Sequence, residues 1–189
     1  MSPARREKRL SLDGLPTKSL DALLVRCVPK LGFDAGNPPS YFFASGRAHR
    51  LNPAGVYCLY FSEDEATANT EYRKGIEGTL APNQPKLTFH AMARLGHVLD
   101  LGDREVAKSL GIRNADFYGM WRGGRETRLQ KIGRAISEQR RISSARFPSA
   151  ASHAEGSAGW NFAIFKAALT TPDRVEILGD GTRPLEVFP

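Results

Sequence analysis

The chain has 189 residues, of which 41% are hydrophobic, enough for one well-formed core and short for two. It contains no apolar run of about eighteen residues or more, and no apolar segment follows its basic start, which argues against a helical membrane protein and for a soluble, unexported, cytoplasmic one. A formal charge of +7 leaves nucleic acid, an acidic partner or a phosphate-bearing ligand open as targets.

In chain order, residues 1 to 18 are expected to be a disordered basic arm, with Arg5, Arg6, Lys8 and Arg9 set against Glu7, and the folded domain to occupy 19 to 189. Leu23 to Val28 reads as a strand carrying Arg26 and Cys27. The stretch from Gly46 to Gly55 has the Gly, Asn and Pro of a turn, with Arg47, His49 and Arg50 beside it. Val56 to Phe61 is a buried strand that delivers Tyr60. Ser62 and Glu65 have capping-box spacing, so a helix is expected to start there and to carry Glu71 about three turns in.

Lys86 to Leu95 alternates like a half-buried strand, and Val98 to Leu101 reads as a second, separate one. Asp103 to Leu110 is a short helix closed by Gly111. Asn114 to Gly124, with Phe117, Tyr118, Met120 and Trp121, is an aromatic loop that either plugs the core or covers a pocket; the plug is preferred. Leu129, Ile132 and Ile136 form a helical apolar stripe amid Arg122, Arg125, Arg128, Lys131, Arg134, Arg140 and Arg141, so that helix presents a basic outer face. Ala150 to Gly159 is small and polar and is expected to be mobile. Val175 to Leu178 and Leu185 to Phe188 read as a hairpin.

Cys27 and Cys58 lack metal-ligand spacing and are expected to be small core residues; His49, His90, His97 and His153 are equally scattered, so no metal is expected. His49 alone lies near the turn, where a solvent-facing histidine is the ordinary reading. Taken singly, Tyr60 is an ordinary core aromatic and Glu71 an ordinary solvated helix residue.

Their order along the chain resembles the RES domain family, named for an arginine, a glutamate and a serine. That family's pattern has an arginine on an early strand, a Gly-Arg-Trp-Asn turn, a short strand ending in tyrosine, a helix with the glutamate, and a late Tyr/Phe-Pro-Ser segment before an Asn-led apolar strand. Here the matching positions are Arg26, the turn Arg50-Leu51-Asn52-Pro53, Tyr60, Glu71, Ser149 in Phe147-Pro148-Ser149, and the strand Asn161 to Phe165. Ala48 and His49 replace glycines, Leu51 replaces the tryptophan, and Cys27 replaces an aromatic that Tyr41 to Gly46 would supply.

The resemblance implies a single α+β domain with a mixed sheet core and flanking helices, ADP-ribosyltransferase-like. It further implies a toxin of a toxin–antitoxin pair that consumes NAD as substrate. Arg26, Glu71, Tyr60 and Ser149 would be catalytic; Arg26, Arg47, Arg50, Tyr60 and Asn161 would contact the dinucleotide, with Arg47 and Arg50 alternatives for the second phosphate contact. The implied partner is an Xre-like helix-turn-helix antitoxin, which would meet DNA in this chain's stead.

Cleaving the nicotinamide–ribose bond builds positive charge on the sugar, which a nearby carboxylate stabilises, while forked guanidinium groups suit the pyrophosphate. Water or phosphate as acceptor makes a glycohydrolase or phosphorylase, which is the preferred reading. A protein acceptor makes a mono-ADP-ribosyltransferase. A non-enzymatic basic module that binds nucleic acid or a regulator is the remaining class, although no nucleic-acid-binding motif accompanies the charge.

Overall fold

The computed structural model describes residues 10–35, 42, 46–77, 79, 84–121, 124–179 and 183–189, with Ala35 described by its backbone alone. The elements in order are β1 (Lys18–Pro29), α1 (Lys30–Ala35), β2 (Cys58–Ser62), α2 (Glu65–Ile76), β3 (Lys86–Asp100), α3 (Arg104–Ser109), α4 (Asn114–Tyr118), α5 (Arg128–Gln139), β4 (Ser144–Pro148), α6 (Ala150–Ala154), β5 (Trp160–Phe165), a 3-10 turn (Lys166–Ala168), β6 (Arg174–Leu178) and β7 (Pro184–Phe188). Helices and strands thus combine in an α+β domain built on a mixed sheet, in which, among the described residues, only β3 and β4 pair in parallel.

The strand order is β1-β2-β5-β4-β3-β6-β7, and β1 also pairs with β3. The ladder from β1 through β2, β5 and β4 to β3 therefore closes into a ring, joined at β1 and β2 by the Val25–Ser62 pairing. Alternation along each strand sends neighbouring side chains to opposite faces. One face gathers Leu24, Leu59, Phe61, Ala91, Ala93, Phe162 and Ile164; the other gathers Cys58, Leu99, Ala145, Phe147, Ala163 and Phe165 beneath Leu129, Ile132 and Ile136 of α5. The apolar stripe expected in α5 is thus the part that meets the sheet.

Several boundaries differ from those expected, each for a local reason. The two strands expected over 86–95 and 98–101 are one, because β1 pairs with β3 from Lys86 to Leu95 and again, past an irregularity, at Val98, from where β4 pairs with it through Asp100. The helix after β2 begins with Asp64 as its cap, accepting from the Thr67 amide at 2.7 Å, not with Ser62. Ser62 is still in β2, and its hydroxyl donates to Asn161 at 2.8 Å. The segment expected to be mobile after Ser149 holds α6, which Ser149 caps by accepting from the Ser152 amide.

Residues 1–9 of the expected basic arm lie outside the described residues. At the start of the described residues Leu12 is buried, and the Leu10 carbonyl accepts from Gln139 at 2.9 Å. The tail pairs as β6 and β7, with Val175 opposite Phe188, while 180–182 of its turn lie outside the described residues. Cys58 is buried as expected, whereas Cys27 is only half-buried, at the sheet edge facing Asn69 and Thr88.

Candidate functional site

β2, β5 and the end of β4 run side by side, so a residue at the same height on each strand is brought to one place. Ser62 pairs with Asn161 in the β2–β5 ladder, and Phe147 pairs with Asn161 in the β4–β5 ladder. Ser149 comes directly after the end of β4, two residues past Phe147, and α2 leaves β2 so that Glu71 returns over the same point. The Ser149 hydroxyl donates to Glu71 Oε1 at 2.7 Å, and Asn161 Nδ2 donates to the same oxygen at 2.6 Å. Asn161 Oδ1 in turn accepts from Ser62, so a chain of hydrogen bonds fixes the carboxylate from behind. Among the described residues no donor reaches Glu71 Oε2.

This carboxylate borders a cavity of about 710 Å³, also lined by Arg26, Arg50, Tyr60 and Asn161. That volume lies within the range of roughly 300–1,000 Å³ usual for small-molecule and cofactor sites. Arg26 reaches the cavity from β1, with one guanidinium nitrogen donating to the Phe42 carbonyl. Arg50 comes from the turn and donates to the carbonyls of Phe117 at 2.6 Å and Gly119 at 3.0 Å. Burial lowers the Arg50 pKa, with Glu71 and Tyr60 acting in the opposite direction. The guanidinium still stays charged at any ordinary pH. Arg47 is exposed and does not line the cavity.

Tyr60 has its ring edge-on to Phe147 and its hydroxyl occupied: it donates to Asn52 Oδ1 at 2.7 Å and accepts from the Leu51 amide at 3.2 Å. Burial pushes its pKa well up, so it is a neutral phenol at pH 7. Asn52 is fully buried and also donates to the carbonyls of Arg47 and Val56, at 2.9 and 2.8 Å. The turn is therefore held to the strand that follows it by one asparagine. Leu51 is likewise fully buried, an apolar plug behind the turn.

The aromatic segment after α3 does both things expected of it as alternatives. Phe117 is buried in the core, whereas Tyr118 and Trp121 line the cavity and Met120 is exposed. His49 is exposed but also lines the cavity, with its ring stacked on Trp121. Residues missed from sequence include Gln130, whose buried side chain joins α5 to the backbones of His49 and Trp121. The spacing of Thr127 and Gln130 was the available signal, since together they form a capping box. Among the described residues no cluster of His, Cys, Asp or Glu is arranged to hold a metal ion, and no helix is long and apolar enough to cross a membrane.

The fold is similar to that of a chain in the crystal structure of the M. tuberculosis MbcT–MbcA toxin–antitoxin complex, with a TM-score of 0.58 and 15% identity over 85% of this chain and 83% of that one. No curated protein matches the sequence. The RES domain family model matches residues 23–186, from the strand that carries Arg26 to the last strand of the sheet, and the protein therefore belongs to the RES domain family.

Proposed function

We propose that this chain is the toxin of a toxin–antitoxin pair, and that its cavity binds NAD and cleaves the nicotinamide–ribose bond, passing ADP-ribose to water or phosphate. The observation that carries this reading is the Glu71 carboxylate, fixed through Oε1 by Ser149 and Asn161 on the wall of a cavity that two guanidinium groups also line. Arg26 and Arg50 supply the paired cationic donors that a pyrophosphate needs. Glu71 then lies by the ribose. As the glycosidic bond breaks, its electron pair goes to the nicotinamide nitrogen, which becomes neutral, and the sugar takes on oxocarbenium character. A carboxylate held in place stabilises that charge more in the transition state than in the ground state.

The leaving group is neutral, so no general acid is needed. Water or phosphate adds to the anomeric carbon, and a water proton is released to solvent or to Glu71. Ser149 is a positioning residue in this scheme, because its hydroxyl proton is directed at Glu71 and not at a base. Tyr60 positions the turn that carries Arg50, through Asn52 and Leu51. The structural relative is drawn from a toxin–antitoxin complex, which supports a cognate antitoxin as partner, here proposed as an Xre-like helix-turn-helix protein that blocks the cavity.

Incubating purified protein with NAD, with and without phosphate, and separating the products tests the chemistry and identifies the acceptor. Nicotinamide release is expected, reduced by about 100-fold or more in Glu71→Gln. NAD recovered intact in buffer, with phosphate and with cell lysate as a source of protein acceptors would end the enzymatic reading.

A further inference from the structure

One part of the cavity wall is aromatic and takes no role in the chemistry above. The imidazole of His49 stacks on the indole of Trp121, with ring centroids 5.5 Å apart and planes 28° apart. Both side chains line the cavity. A single buried side chain holds both backbones: Gln130 Nε2 donates to the carbonyl of His49 at 2.9 Å and to that of Trp121 at 3.5 Å, while its Oε1 accepts from the Thr127 amide at 2.9 Å. Arg50, next to His49 in the chain, fastens the segment just before Trp121 through the carbonyls of Phe117 and Gly119. A ring pair clipped from two sides loses little freedom when a ligand lies on it, which favours binding.

The pair shares its cavity with the carboxylate. The His49 ring lies 5.7 Å from that of Tyr60, and His49, Trp121, Tyr60 and Glu71 all line that one cavity. A dinucleotide bound there would meet the stack and Glu71 together.

We infer that the His49–Trp121 stack is the platform for the nicotinamide ring. This rests on the NAD reading above and adds the contact that recognises the base. The ring in NAD is a planar cation, and the face of an indole attracts such a ring both by stacking and through its negative quadrupole. Once the glycosidic bond breaks, nicotinamide is neutral and the cation–π part of that attraction is lost, so the platform holds substrate more tightly than product. The stacking part of the attraction does not depend on the ring's charge and is made equally in the ground and transition states, so it contributes to KM and little to kcat.

The test uses nicotinamide mononucleotide as probe and Glu71→Gln to slow its turnover. The chain has two tryptophans. Trp160 lies under the Arg146 guanidinium, 3.7 Å from its ring, so the signal is read in a Trp160→Phe background that leaves Trp121 as the emitter. Nicotinamide mononucleotide is expected to quench Trp121 emission, and AMP to leave it unchanged. Trp121→Ala is expected to weaken binding about ten-fold and Trp121→Phe less than about three-fold, with KM in the active enzyme moving in parallel and kcat little changed. Trp121 is only half-buried; should the alanine variant still fail to fold, the quenching and the phenylalanine variant decide. NAD binding by calorimetry without quenching, and with unchanged affinity in Trp121→Ala, would overturn the platform and leave the NAD reading intact. Quenching by AMP alone would also overturn it. Absence of any NAD binding by calorimetry would remove both readings together.

Discussion

At the residue scale, buried polar side chains with several partners decide how the cavity wall is built. Asn52, itself fully buried, satisfies the carbonyls of Arg47 and Val56 and receives the Tyr60 hydroxyl. Removing it strands those groups, and a buried polar group left without a partner costs about 1–3 kcal/mol. Asn52→Ala is accordingly expected to destabilise the fold by roughly 2–4 kcal/mol in urea unfolding; a change within about 0.5 kcal/mol, the scatter typical of neutral surface substitutions, would show that the turn is held by something else. Ser149 has two duties, as the cap of α6 and as a donor to Glu71. Ser149→Ala should therefore lower stability by about 1 kcal/mol and also lower turnover. Loss of stability with turnover untouched would reduce Ser149 to a helix cap.

At the element scale, the approach of α5 to the turn is set by one missing methyl group. A Cβ on Gly133 would lie 1.7 Å from the Leu51 carbonyl oxygen and 3.3 Å from the Phe165 ring. On an exposed helix face, replacing glycine by alanine stabilises by about 1 kcal/mol, because glycine is a poor helix former. Here overlap with backbone outweighs propensity, and Gly133→Ala is expected to lower the melting temperature and to displace the turn that carries Arg50. A melting temperature equal to or above the parent's would mean that α5 shifts away freely. This contact was invisible in the sequence, where Gly133 shows only as a poor helix former inside an amphipathic pattern, with no sign of what it touches. The apolar stripe of α5 was legible because helical spacing alone reports it. The single long β3 was not, since its continuity past Gly96 depends on pairing with β1 and β4.

At the scale of the whole molecule, charge is arranged more locally than the net value suggests. Arg134 pairs with Glu126, Arg146 bridges Glu63 and Asp100 at 3.0 and 3.3 Å, and Arg128 donates to the Leu110 carbonyl at 2.7 Å. Part of the basic concentration around α5 thus works within the fold. Stability should respond instead at alkaline pH. Burial raises the pKa of both Cys58 and Tyr60 well above their ordinary values of 9.0 and 10.0, so the folded state keeps these protons after the unfolded chain has lost them. The unfolded state then binds fewer protons, and unfolding free energy falls as pH rises through about 9 to 10, by up to about 1.4 kcal/mol per pH unit for each group. Below that window the effect is absent. Cys58→Ala should flatten the first part of the decline in pH-dependent urea unfolding; a slope unchanged by that substitution would rule the thiol out as its source.

What the sequence determined by itself were the features that depend on near neighbours. These are the strand that delivers Tyr60, the α5 stripe, the tail hairpin, and the order of residues that signals the RES domain family. The tertiary structure decided which of those residues meet. Arg50 lines the cavity and Arg47 does not; Ser149 and Asn161 converge on one oxygen of Glu71; His49 lies against Trp121. Such meetings depend on strand register and helix approach, which are set by contacts between parts of the chain far apart in sequence, and no local pattern records them.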